Sequence, residues 1–245
     1  MNVEVKLEGG VARIFLNRPG KSNALTSQLL SEIEKSIRDL ENHPQLRAVV
    51  LAGHGKAFCG GADVTELAAL SEANAGAFVE RIHKVCAAIR ALPVPVVARL
   101  HGAVIGAGLE IAAACDLRIA ANGTRFAMPE VKLGIPSVVE AALLPRLMGA
   151  GRAAWLVLTG EAIDAERAYE WGLVEEVSAD PDESIEILLR RLLSARRDAL
   201  TAQKRLLQLW DEAPLAVSVR ESVQAFSRSF AGGNTISSRL EGKKD

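Results

Sequence analysis

The sequence predicts a layered α/β core followed by an all-helical carboxy-terminal region. Three observations carry this: strand and helix patterns alternate through the first two thirds of the chain, glycine-rich turns follow the strands, and beyond Asp180 only helical periodicity remains. Val3, Val5 and Leu7 alternate with polar residues, Gly9-Gly10 offers a turn, and Val11 to Leu16 resumes an extended pattern, so the chain opens as a β-hairpin. From Thr26 to Asn42 the residues Leu29, Leu30, Ile33, Ile37 and Leu40 follow helical spacing, with Pro44 just beyond. Arg47 to Ala52 is a short valine-rich run of the kind buried in a parallel sheet. Phe78, Ile82, Val85, Ile89 and Leu92 mark a second helix, stopped by Pro93 and Pro95, and Val96 to Ala98 and Leu117 to Ala120 read as further strands. Ser184 to Ser194, Leu200 to Trp210 and Leu215 to Phe230 are helical, and the polar residues Ala231 to Asp245 are expected to lack fixed structure in part. The expected division is a core over 1–180 and a helical region over 181–245.

Composition narrows the function. Of 245 residues, 49% are hydrophobic and 24% charged, enough for an ordinary packed core. A formal net charge of -1 offers no attraction for phosphate backbones or anionic lipid, so neither nucleic acid nor a membrane is an expected partner. Cys59, Cys86 and Cys115 are widely spaced and odd in number, which fits neither a disulfide framework nor a thiolate metal cluster; a reducing cytoplasm is the natural location. Met1 to Leu16 lacks the basic start and continuous apolar run of an export signal. The most apolar stretch, Gly102 to Ala121, contains Glu110, Asp116 and Arg118, so it reads as a buried segment of a soluble protein rather than a membrane span.

Three segments are candidates for chemistry. Ala57-Phe58-Cys59-Gly60-Gly61-Ala62-Asp63 follows a strand, and successive N–H groups in such a turn can converge on a developing negative charge; it also fits an ordinary strand-to-helix connection. His101-Gly102-Ala103-Val104-Ile105-Gly106-Ala107-Gly108-Leu109-Glu110 runs into a helix start, which carries unpaired donors and roughly +0.5 elementary charge. A dinucleotide fingerprint is a poor fit, because Ile111 occupies the position of its third glycine. Glu110 sits in the first turn of that helix among apolar neighbours, where it either complements the helix dipole or serves as a buried proton-transfer group. Met128-Pro129-Glu130-Val131-Lys132-Leu133-Gly134-Ile135-Pro136 is the third segment; Glu130 is a surface-turn residue or a second carboxylate facing the first. His43, His54, His83 and His101 show no metal-ligand spacing, no G-x-S-x-G elbow occurs, and Cys59 has no base beside it in sequence.

Taken together and in this order, the segments resemble the crotonase family, also called the enoyl-CoA hydratase/isomerase family. The resemblance rests on Asn17-Arg18-Pro19 with Ser22-Asn23-Ala24-Leu25, on Ala57 to Asp63, Gly102 to Asp116 and Pro129 to Gly134, and on Gly160 with Trp171-Gly172-Leu173-Val174. It implies a spiral of strand-strand-helix units with a helical tail that packs in a trimer or a pair of trimers, and a coenzyme A thioester as substrate with no further cofactor and no metal. By position, the amides of Ala62 and Ala107 would form the oxyanion hole, and Glu110 and Glu130 would hold water and deliver a proton. Ala24, Ala62, Asp63, Val64 and Thr65 would grip coenzyme A. Both glutamates favour hydration of a 2-enoyl-CoA; the alternatives are double-bond isomerisation or related enolate chemistry, and a non-catalytic binding or assembly subunit.

The sequence departs from the family pattern at three places. Ala107 stands where glycine is frequent, Thr65 replaces a lysine of some members, and Ser137-Val138-Val139-Glu140-Ala141-Ala142 replaces a glycine-rich run, which implies an altered acyl pocket. Glu140 is either a further acid or base or a helix-start residue.

Overall fold

Successive residues of Ala48 to Ala52 point to opposite faces of a sheet, and both faces are covered, which is why this part of the valine-rich run is continuously apolar. The computed structural model describes residues 2–231. In chain order the elements are β1 (Val3–Glu8), β2 (Val11–Leu16), α1 (Ser27–Glu41), β3 (Ala48–Gly53), α2 (Val64–Ala68), α3 (Glu72–Ala91), β4 (Val96–Leu100), β5 (Ala103–Ile105), α4 (Ala107–Ala114), β6 (Leu117–Ala121), β7 (Arg125–Ala127), α5 (Leu144–Met148), α6 (Ala150–Thr159), β8 (Ile163–Asp164), α7 (Ala165–Glu170), β9 (Glu176–Ser178), α8 (Pro181–Ser194), α9 (Arg197–Glu212) and α10 (Leu215–Arg228). Two 3-10 segments, Glu130–Leu133 and Val139–Leu143, lie between β7 and α5.

The main sheet has the order β1-β2-β3-β4-β6-β9. Its first pair is the antiparallel hairpin; every later pair is parallel. A second sheet, β5-β7-β8, contains strands of two or three residues, too short for alternation to reveal in sequence. Ile14, Leu16, Val49, Leu51, Ala98 and Leu100 face a core shared with α1, α3 and α4. On the opposite face Val11, Ala48, Val50, Val97 and Ile119 meet Ile185 and Leu189 of α8.

Two of the three charged residues inside the apolar stretch, Asp116 and Arg118, are held by hydrogen bonds. Asp116 accepts the Val96 amide at 2.7 Å, and the buried Arg118 guanidinium donates to the carbonyls of Leu173 and Cys115, each at 2.8 Å, and to Glu175. Such pairing is what makes a buried charge tolerable.

Two compact units are distinguished, Met1–Leu193 and Ser194–Asp245. The packing of α8 on the sheet places that helix with the first unit, although the sequence grouped it with the tail. In the second unit α9 and α10 meet through the Trp210 indole, whose Nε1 donates to Ser222 Oγ at 3.0 Å, beside a groove of about 730 Å³. The terminal residues 232–245, for which partial disorder is expected from sequence, lie outside the described residues. No helix among the described residues is long and apolar enough to cross a membrane.

Candidate active site

The first loop is built from the inside by Asn23. Its buried side chain donates to the carbonyls of His54 at 3.0 Å, Ala57 at 2.8 Å and Phe58 at 3.1 Å, and its Oδ1 accepts from the Arg18 amide at 2.8 Å. The strip after it then holds the glycines: Gly60 N donates to Ser22 O, Leu25 N to Gly61 O, and Asp63 N to Leu25 O, over 2.8–2.9 Å. In this parallel bridge between Leu25 and Ala62, the bonds fall on the residues either side of Ala62. The N–H of Ala62 therefore points away from the pairing.

The second loop docks on the first. Cys59 and Val104 form a parallel bridge, with Cys59 N to Ala103 O and Ile105 N to Cys59 O both at 3.0 Å. Two glycines permit the approach. A Cβ on Gly61 would lie 2.9 Å from the Ile105 carbonyl oxygen, and one on Gly108 would lie 2.7 Å from Cys59 Cβ. Ala62 is thereby brought beside the start of α4, where Gly106 adopts φ 53° and ψ -124°, a conformation open only to glycine.

Ala107 is the first helical residue and has no positive φ, so the alanine there carries no backbone strain. Among the described residues neither the Ala62 N–H nor the Ala107 N–H donates a hydrogen bond. Two free amides next to a helix amino terminus make an anion site.

Two glutamates flank it. Glu110, in the first turn of α4, is buried, and its ionisation is pushed up to about 8 by burial first, then by the charges of Glu130 and Glu140, against a backbone hydrogen bond from Ala141. Glu130 begins the 3-10 segment and lies directly over Gly106, where any Cβ would collide with its Oε1. The Ser137 hydroxyl donates to Glu130 Oε2 at 2.9 Å. Glu140, the third carboxylate, is buried between α3 and α4, and its Oε1 lies 2.8 Å from His83 Nδ1.

A match to the model for enoyl-CoA hydratase/isomerase spans residues 6–234. The chain belongs to the enoyl-CoA hydratase/isomerase family. It is 40% identical to the short-chain-enoyl-CoA hydratase of Clostridium acetobutylicum over 74% of this chain and 70% of that one. It is 35% identical to the crotonyl-CoA hydratase of Syntrophomonas wolfei over 83% and 80%. The crystal structure of enoyl-CoA hydratase from Mycobacterium smegmatis superposes with a TM-score of 0.94 at 30% identity, covering 99% of this chain and 97% of that one. The fold expected from the resemblance is thus the fold of this family, which implies binding of an acyl-CoA substrate.

The remaining sequence candidates fall at one edge of the site. Ala24 is half-buried and its carbonyl accepts from Arg18 Nη1. Asp63 is tied to Arg18 Nη1 and Nη2 at 3.2 Å each and caps α2 by accepting the Thr65 amide at 3.1 Å. Burial opposes its ionisation, but the Thr65 amide and the Arg18 guanidinium outweigh this and hold its carboxyl below the usual range. Val64 and Thr65 are exposed. Three contributors had no role assigned from sequence. Asn23 acts through contacts remote in sequence, Ser137 acts through a hydroxyl contact to Glu130 seven residues before it, and His83, considered only as a metal ligand, shows its partner only once α3 packs on the Val139–Leu143 turn.

Proposed function

We propose that the chain is an enoyl-CoA hydratase, adding water across the double bond of a 2-enoyl-CoA. The observation that carries this is the placement of two carboxylates, Glu110 and Glu130, around one pair of free amides at the start of α4. The thioester oxygen accepts from Ala62 N–H and Ala107 N–H as negative charge moves onto it, and losing one such donor typically costs about 2.7–4 kcal/mol of transition-state stabilisation. Water attacks C3, one carboxylate takes its proton, and the other gives a proton to C2, so the elements of water are added and the pair returns to its starting charge. In the free protein burial and the neighbouring carboxylates favour the protonated form of Glu110. Coenzyme A is gripped along Ala24 and the Ala62-Asp63-Val64-Thr65 run, whose backbone the Arg18–Asp63 clamp fixes.

The reading extends to a cytoplasmic protein of acyl-CoA metabolism that assembles as a trimer or a pair of trimers, with residues from 181 onward contributing to assembly. The exposed Leu133, Leu158 and Tyr169 of the first unit support an assembling surface. A second reading, isomerisation of a 3-enoyl-CoA, is favoured by Glu140, since a third buried carboxylate near Glu110 suits proton shuttling between carbons. The test is absorbance loss of crotonyl-CoA at neutral pH for wild type, Glu110→Gln and Glu130→Gln. Rapid loss that needs both glutamates supports hydration; tight binding without turnover points to isomerisation, and acyl-CoA that leaves the melting temperature unchanged points to a non-catalytic subunit.

A further inference from the structure

Beside the two glutamates, a further group of titratable side chains lies where α3, α4 and the Val139–Leu143 turn meet. Glu140 is only 7% exposed. One oxygen faces His83 Nδ1 at 2.8 Å, while Oε2 is buried without a well-formed hydrogen bond, the Cys86 thiol being the polar group beside the carboxylate. An unpartnered carboxylate oxygen is costly in a folded core, and a native structure keeping one calls for a reason. The backbone that presents it is costly too. Val139 takes φ 40°, a left-handed value that a β-branched residue ordinarily avoids and that persists only where the surroundings enforce it.

The next residue connects this turn to the candidate active site: the Ala141 amide, which donates to the Val138 carbonyl at 3.0 Å, lies close enough to Glu110 to oppose the upward push on its ionisation. Around the cluster stand His83 and Cys86 from α3, Glu110 from α4, Cys115 just after it and Glu130 from the preceding 3-10 segment, while α5, which carries the exposed Arg146, packs against the turn. The Cys86 thiol feels the same charges: burial first, then Glu140 and Glu110, push its ionisation up. Backbone strain at Val139, a buried oxygen on Glu140 and electrostatic contact with Glu110 thus meet in one turn.

We propose that Glu140, clamped by His83 and presented by the strained turn at Val139, is a positioning residue that governs proton transfer at the thioester site through Glu110. Negative charge on Glu140 makes a second negative charge on Glu110 less favourable, while His83 fixes which way the Glu140 carboxylate faces. The claim rests on the hydratase reading only for its kinetic consequence.

The experiment follows the 13C carboxyl signal of Glu110, assigned by its loss in Glu110→Gln, through a pH titration without substrate. Glu140→Gln is expected to lower the Glu110 midpoint by about one pH unit or more, the effect of removing a like charge in a poorly solvated site. Glu140→Asp, which keeps the charge, is expected to stay near wild type. His83→Gln is expected to move the midpoint in the wild-type background and to leave it unmoved when Glu140→Gln is already present, because its influence passes through Glu140. A midpoint indifferent to Glu140→Gln, or a His83→Gln effect equal in both backgrounds, overturns the proposal. In parallel, the pH profile of kcat/KM on crotonyl-CoA should shift with the NMR midpoint. If wild type does not turn over crotonyl-CoA, the hydratase reading fails, while the substrate-free titration still decides the role of Glu140.

Discussion

Replacing Glu110 by glutamine should make the protein more stable at neutral pH while removing its activity. Glu110 ionises at about 8 in the folded protein against an ordinary 4.5. Between those values the native state keeps a proton that the unfolded chain has released, so stability is full below about 4.5, falls as pH rises, and reaches its floor above about 8. At about 1.36 kcal/mol per pH unit, the loss accumulated by pH 7 is about 3 kcal/mol. Glutamine has nearly the same shape and never ionises, so it escapes that loss. For a chain of this size about 3 kcal/mol corresponds to roughly 6–12 °C in Tm. Paired thermal melts of wild type and Glu110→Gln at pH 5, 7 and 9 should show a gap that is small at pH 5 and widens towards pH 9. A gap independent of pH, or a variant less stable throughout, would refute the assignment of Glu110 as a buried, proton-holding acid.

Three further outcomes follow from the same geometry. Gly106→Ala forces a side chain into φ 53° and against Glu130, so it should lower kcat/KM by about 100-fold or more and cost about 1–3 kcal/mol in a denaturant melt. Asn23→Ala leaves the carbonyls of His54, Ala57 and Phe58 without their donor, a loss of about 2–4 kcal/mol visible as a Tm lowered by roughly 5–10 °C. Burial pushes the Cys59 thiol up to about 12, so iodoacetamide at pH 8 should label Cys59 only after unfolding, as read by peptide mass spectrometry.

The parts of the fold visible in sequence are those where one residue's neighbours decide its state. The helical spacing of Leu29, Leu30, Ile33 and Ile37 and the valine run of β3 report burial directly, because each side chain faces the core on its own element's period. The strands β5, β7 and β8 were not visible, since two or three residues cannot establish a period and their pairing is set by the chain around them. At the site, the glycines and Glu110 stood out locally, for a carboxylate among alanines at a helix start is anomalous without any partner. Glu130 did not stand out by itself; a Pro-Glu turn becomes a catalytic candidate only when it closes over Gly106. The Asn23 scaffold and the His83–Glu140 pair bridge 31 to 57 residues of sequence, and nothing local distinguishes such side chains from surface ones.

In the proposed complex a thioester carbonyl sits between the amides of Ala62 and Ala107, with Glu110 and Glu130 at the reacting carbons. A crystal structure with a bound 3-hydroxyacyl-CoA tests it most directly. The account predicts the thioester oxygen at about 2.7–3.1 Å from both nitrogens, with the 3-hydroxyl against the two carboxylates. A thioester held elsewhere, with those amides facing solvent, would contradict it.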